Sequence, residues 1–284
     1  MIAAHSHKVN PSEIRKNWIP NEPFACMVLN AAHLLLPHGE LWMCRTFNQA
    51  KPLIKDQKIL QDVNLFIQQE GNHAKAHKVV ITCFADQGAG FEKSHALLTQ
   101  LFHVILGEKI FGLWSANGKW AFRWLKFRIG LIAILEHVTC VLGGWLVENT
   151  AFEAAGADDE MITIFKWHGA EEIEHRSVAH DLHTHLGGSH LFRAVAFLPF
   201  SILIIYLWVR ATKRFLQNSD DNEVNYGMRE YVKASRRGLL PTISYLVFRS
   251  ISYFKFGFHP EKDIHEQTLS AVESFNSNFD NYER

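Results

Sequence analysis

Apolar residues recur at helical spacing along nearly the whole chain, and stretches that alternate apolar with polar positions are scarce. The first 22 residues are polar, carry Pro11 and Pro20, and predict an irregular arm. An apolar stretch over about 24–35 predicts a short helix that meets Pro37-His38-Gly39-Glu40. A second helix should begin there and stop near Lys51-Pro52, since proline disfavours helix in the residue before it. Further helices are expected over about 56–86, over 92–106, and over 119–154 after the turn at Ser115-Ala116-Asn117-Gly118. Asp158, Asp159 and Glu160 open the next helix with acids, as its dipole favours, and Gly187-Gly188 should close it. Stretches at about 191–217, 223–256 with a break near Pro241, and 261–279 complete an all-α pattern.

With neither repeat nor low-complexity linker, residues 23–284 are expected to form one helical domain, with a bundle core over about 39–187 and an extension over about 191–280. Within the extension, Ala194–Val209 is almost continuously apolar between Arg193 and Arg210. It falls short of the roughly 20 residues that span a bilayer, and Pro199 interrupts it. It predicts a buried helix covering the core. The alternative is an interfacial membrane contact, helped by the aromatic and basic stretch Tyr245–Phe258.

Composition narrows the function classes. With 284 residues, 48% hydrophobic and 20% charged, the chain can bury a sizeable core and is not of the disordered class. Lys+Arg equals Asp+Glu at 29 each, which argues against a nucleic-acid partner. Four scattered cysteines without a CxxC fit a reducing compartment. The N-terminus lacks the apolar segment of a signal peptide. The expected location is therefore cytoplasmic, or membrane-peripheral should the 194–209 contact form. No Gly-x-Ser-x-Gly, P-loop or Gly-x-Gly-x-x-Gly is present. Histidine stands out: 13 of 17 lie between His33 and His190, which directs attention to metals.

Acidic residues then appear where helices should be apolar. At 100° per residue the face of Glu136 carries Ile129, Ile132, Ala133, Cys140, Gly143 and Val147. A carboxylate buried there without a partner is expensive. Glu40 shares its face with Met43, Cys44 and Phe47, and Glu70 shares its face with Phe66, His73 and His77. His168, Glu172 and His175 fall at i, i+4 and i+7. Glu70-Gly-Asn-His73 and Glu172-Ile-Glu-His175 are both Glu-x-x-His, whose ends project side by side on a helix. Two such pairs plus two lone glutamates, Glu40 and Glu136, are the ligand recipe of a dinuclear site in a four-helix bundle. Four glutamates would balance two divalent ions. In the expected division, Glu70 and His73 serve one metal, and Glu172 and His175 the other. Glu40 and Glu136 complete the shell. Glu171 is an alternative ligand to Glu172 or an outer partner, and His77 a spare ligand or outer partner. His137 and Glu174 point off the ligand faces. His180, His183, His185 and His190 spread around their helix and predict a solvated end. Oxygen and imidazole donors without thiolate suit two iron ions, with manganese or zinc as substitutes.

These residues resemble the ferritin-like di-iron carboxylate superfamily. More closely, the chain is similar to a bacterial family labelled predicted metal-dependent hydrolases, through GELW (Gly39–Trp42), QQEGNHAKAH (Gln68–His77), LEHVT (Leu135–Thr139), WHGAEEIEHRSVAHDL (Trp167–Leu182) and GFHP (Gly257–Pro260). The matches span about residues 20–262. The resemblance implies a ferritin-like bundle with additional C-terminal helices. His168-xxx-Glu172-xx-His175 resembles the arylamine N-oxygenases, which would make His168 a seventh ligand, and His259 of GFHP would be a packed or outer-partner histidine. His77 stands where radical-generating ribonucleotide reductase subunits carry tyrosine, which disfavours a tyrosyl radical.

The expected function is a di-iron oxidoreductase that activates O₂ to oxidise or oxygenate a small apolar or aromatic substrate, fed by an external electron donor. A two-metal hydrolase that activates water is the alternative. A third is a non-catalytic, metal-stapled protein at a membrane surface.

Overall fold

The computed structural model describes residues 6–217 and 224–282. The first residues of the expected arm and the expected helix start at 223 lie outside them. Every regular element among the described residues is helical.

The first long helix, α1 (Pro23–Ala50), is a single helix and not the expected two. Pro37 lies inside it, where it can give no hydrogen bond to the His33 carbonyl. Tertiary burial outweighs that local loss: most of α1 is buried on both sides of the proline. The correction matters for chemistry, because Glu40 is now mid-helix and His33, two turns earlier, shares its face. Asp56 caps α2 (Gln57–Asp86) by accepting from the Lys58 and Ile59 amides. The stretch near residue 100 divides into α3 (Glu92–Thr99) and a π-helical turn, Gln100–Ile105.

The expected 119–154 helix also divides, into α4 (Gly118–Glu148) and α5 (Ala151–Ala154). Asn149 adopts an extended backbone between them, and its side chain accepts from the Ala151 amide and donates to the Gly238 carbonyl. Helices α6 (Asp159–Glu174) and α7 (Val178–His185) replace one continuous helix. The break falls at His175, and Arg176 Nη1 takes the Ile173 carbonyl at 2.5 Å. Beyond lie α8 (His190–Gln217), α9 (Met228–Arg236), α10 (Ile243–Ser250) and α11 (Glu266–Tyr282).

Helix α1 packs along α2 and α4 along α6, while α1 also meets α4, and α2 meets α6 and α7. One connected hydrophobic core reaches from Val9 in the arm to Phe279 in α11. The arm is tied in by Trp18, fully buried, whose indole donates to Asn30. Where α4 crosses α6 the contact is glycine on glycine. A Cβ on Gly143 would stand 2.7 Å from the Gly169 carbonyl oxygen, and one on Gly169 2.9 Å from the Gly143 oxygen. This close approach brings the Glu172 turn of α6 against α4, which carries Glu136.

Helix α8 departs from the expected buried cover. Its inner face, including Phe197, Phe200, Leu207 and Phe215, is buried, and the Trp208 indole donates to the Val28 carbonyl of α1. Its outer face is exposed. Helices α4 and α8 are both long and apolar enough to cross a membrane by length and composition, but only α4 is largely buried in the protein.

Candidate metal centre

Four helices each direct a glutamate into one buried volume. Glu40 (α1), Glu70 (α2), Glu136 (α4) and Glu172 (α6) are each at most 2% exposed, and His73 and His175 are fully buried. The potential ligand atoms gather in two groups, Glu40 with His73 and His168, and Glu70 with Glu172 and His175. In each group the atoms lie within 4.8 Å of one another. Glu136 joins the second group, its Oε2 lying 3.3 Å from His175 Nε2.

Two glutamates lie between the groups. Glu172 Oε1 is 2.9 Å from His168 Nε2, while its Oε2 is 3.2 Å from His175 Nε2. Glu70 Oε1 is 3.6 Å from His73 Nδ1 and 3.4 Å from His175 Nε2. The structure thus divides the residues differently from the expected pairing by Glu-x-x-His motif. His73 falls with Glu40 and His168, while Glu70 Oε1 faces both His73 and His175.

Six atoms in this volume are buried without a hydrogen bond from the protein: both carboxylate oxygens of Glu40, both of Glu136, Glu70 Oε1 and His73 Nδ1. Orphaned polar atoms are costly in a core, and here they converge on the two ligand groups. Divalent cations satisfy such a donor set, and four glutamates balance two of them. The residues fit a pair of metal ions.

Side chains behind the ligands fix which nitrogen faces inward. His73 Nε2 lies 2.8 Å from Glu171 Oε2. A carboxylate only accepts, so neutral His73 keeps its proton on Nε2 and presents a bare Nδ1 to the cluster. His175 is held oppositely, with Nδ1 donating to Gln69 Oε1 at 3.2 Å and Nε2 facing the glutamates. The Gln69 amide is itself oriented, since its Nε2 donates to Glu174 at 3.3 Å. His168 Nδ1 meets His77 Nε2 at 2.9 Å, and His77 Nδ1 meets His33 Nδ1 at 2.7 Å.

Burial and mutual contact shift the ionisation of the cluster's side chains. Burial pushes Glu40 and Glu136 well above the usual carboxylate range, and neighbouring glutamates push the same way. Burial opposes charge on His73, but Glu171 and Glu70 outweigh it and raise its pKa well above that of free imidazole. His175 is raised likewise, by Glu172 and Glu70 against its burial. Despite its own burial, Glu172 is held well below its usual range by His175 and His168. Burial drives His77 well below the usual value and His33 down to about 3.

Glu171 and His77 therefore both touch candidate ligands. His259 does not join them: its Nε2 lies 2.9 Å from Asp181, beside His180. The expected solvated end is also corrected. His180 and His183 are buried, and Arg193 donates to His180 Nε2 and His183 Nδ1. Gln69 and His33 belong to the site's surroundings and went unrecognised in the sequence. The expected helix break at Pro37 removed His33 from the face of Glu40, and nothing about an amide beside Glu70 marks it as buried.

An all-helical, metal-dependent protein is the class that this architecture and donor set define. A family described as predicted metal-dependent hydrolase matches residues 4–263, and the chain belongs to that family. No curated protein and no solved structure matches the chain.

Proposed function

We propose that this chain is a dinuclear metal-dependent hydrolase whose ligand-bearing helices α1, α2, α4 and α6 form a ferritin-like four-helix core. The observation that carries the reading is the convergence of six orphaned donor atoms from α1, α2 and α4 on one buried volume. The family description supports hydrolysis as the reaction. Glu70 and Glu172, lying between the two groups, would be shared by the ions, while Glu40, His73 and His168 serve one and Glu136 and His175 the other. Ions held there would supply Lewis-acid polarisation of an ester or phosphate and an acidified water. The chain's own contribution is positional. Glu171, Gln69 and His77 hold the imidazoles, and the surrounding apolar core excludes bulk water and strengthens electrostatic interactions.

The donor set favours a second reading. Carboxylates and imidazoles without thiolate suit iron, and such a pair could serve O₂-dependent oxidation of a small apolar or aromatic substrate with an external electron donor. Metal analysis of the purified protein, followed by hydrolysis assays on aryl esters and phosphates and by O₂ uptake of the reduced protein, separates the two. Zinc or manganese occupancy with ester or phosphate turnover and no O₂ uptake is expected. Iron occupancy with stoichiometric O₂ uptake and no hydrolysis overturns the hydrolase in favour of the oxidase. Glu136→Ala should lower the bound metal from two ions to one, and unchanged stoichiometry would reject the ligand assignment.

A further inference from the structure

We infer that the outer face of α8, with the neighbouring segments 251–256 and 111–122, docks on the surface of an anionic phospholipid bilayer. Leu191, Val195, Leu198, Ile202, Ile205 and Val209 are all exposed and recur every three or four residues. They form one apolar stripe about 27 Å long at the helical rise per residue. The opposite face of α8 is committed to the protein, with Arg193 buried among His180 and His183 and Trp208 bonded to α1. Lipid can therefore reach only one side of this helix. That geometry suits a helix lying in the membrane plane, not one crossing it.

Ring contacts, partly through the buried rings of Phe197 and Trp124, tie α8 to exposed apolar residues of the neighbouring segments on both sides. Phe197 meets Phe254 at 5.1 Å and His190 meets Phe256 at 6.3 Å, and Phe256 is 98% exposed. In the other direction Phe192, Phe127, Trp124 and Phe111 follow one another at 5.1–5.5 Å. They lead to Leu113, 89% exposed, and to the exposed indoles of Trp114 and Trp120. Exposed apolar residues gathered on neighbouring segments of a folded chain mark an interaction face, and tryptophan favours the membrane–water boundary.

Charge selects the occupant. The chain as a whole is neutral, yet residues 109–135, 190–217 and 242–260 together hold eleven lysines and arginines, of which Arg128 and Arg193 are buried, and no aspartate or glutamate. Lys119, Arg123, Lys213 and Lys255 are exposed. A basic, apolar face complements anionic headgroups. A second copy of the same face would set base against base.

The test is flotation of the full-length, metal-loaded protein with vesicles of phosphatidylcholine alone and of phosphatidylcholine with phosphatidylglycerol. The protein should float with the anionic vesicles, much less with the neutral ones, and less as salt rises. Ile202→Glu with Ile205→Glu should weaken binding at least tenfold, and Lys255→Glu by roughly tenfold. Both sites are exposed, so metal content and the thermal midpoint serve as controls for folding. Failure to float with anionic vesicles overturns the inference, as does equal binding to neutral vesicles or unimpaired binding by these variants. A concentration-dependent dimer that the same variants dissociate, without lipid binding, assigns the face to a second copy instead. None of these outcomes depends on the reaction at the metal centre.

Discussion

Glu171 and Gln69 touch opposite nitrogens of two candidate ligands, His73 Nε2 and His175 Nδ1. Partners that orient a metal-bound imidazole commonly carry 10–100-fold in metal affinity. Glu171→Ala should therefore weaken binding of one ion by about that factor and leave the other bound, as read in a metal titration. Loss of both ions at once would show that Glu171 acts on more than His73. Glu172 is the residue whose exchange should be costlier, since its two oxygens face imidazoles in different groups.

The crossing of α4 with α6 is set by Gly143 and Gly169, each with the other's backbone where a methyl group would stand. Neither helix can yield without moving Glu136 or Glu172. Gly169→Ala should destabilise the fold by about 1–3 kcal/mol, the usual cost of overpacking, and lower metal affinity as well. Chemical denaturation and a metal titration on the same variant check both effects. A loss of stability with unchanged affinity would mean that the bundle reseats without moving the ligands. Pro37 is the other constraint at this scale. Continuity of α1 through it places His33 next to His77 and keeps Glu40 mid-helix.

At the scale of the whole molecule, the ionisation of the cluster links stability to pH. Glu40, Glu136, His73 and His175 all have folded-state pKa values above their ordinary ones. Such groups bind more protons folded than unfolded, so their stabilisation is present at low pH and is lost as pH rises through the folded values. Depressed His33 and His77 oppose this only below about pH 6.5, the ordinary imidazole value. Glu172, depressed, contributes stability above the ordinary carboxylate range and loses it in acid. The metal-free protein should therefore lose stability from neutral toward alkaline pH. Metal binding should release protons and tighten as pH rises. Thermal melts with and without chelator across that range, and calorimetry in buffers of different ionisation heat, test the sign. At metal concentrations a thousandfold above Kd, bound metal should add about 4 kcal/mol per site.

The chain's own pattern was enough to determine an all-helical architecture and to pick out the four glutamates, because helical period and the cost of burying a carboxylate are local properties. It located α2 almost to the residue, since Asp56 carries its own cap. It also named His73, His168 and His175 by their spacing. Tertiary structure alone decided three matters. It carried α1 through Pro37, where burial on both sides outweighs one lost hydrogen bond. It ended α6 at His175, where no proline or glycine announces a break and the Arg176 guanidinium takes over a freed carbonyl. It also sorted the candidate ligands into two groups and supplied Gln69 and His33, because contacts across helices depend on which faces meet. The apolar run of α8 shows the same division: its sequence required burial somewhere, and the packing of one face against α1 left the other outside.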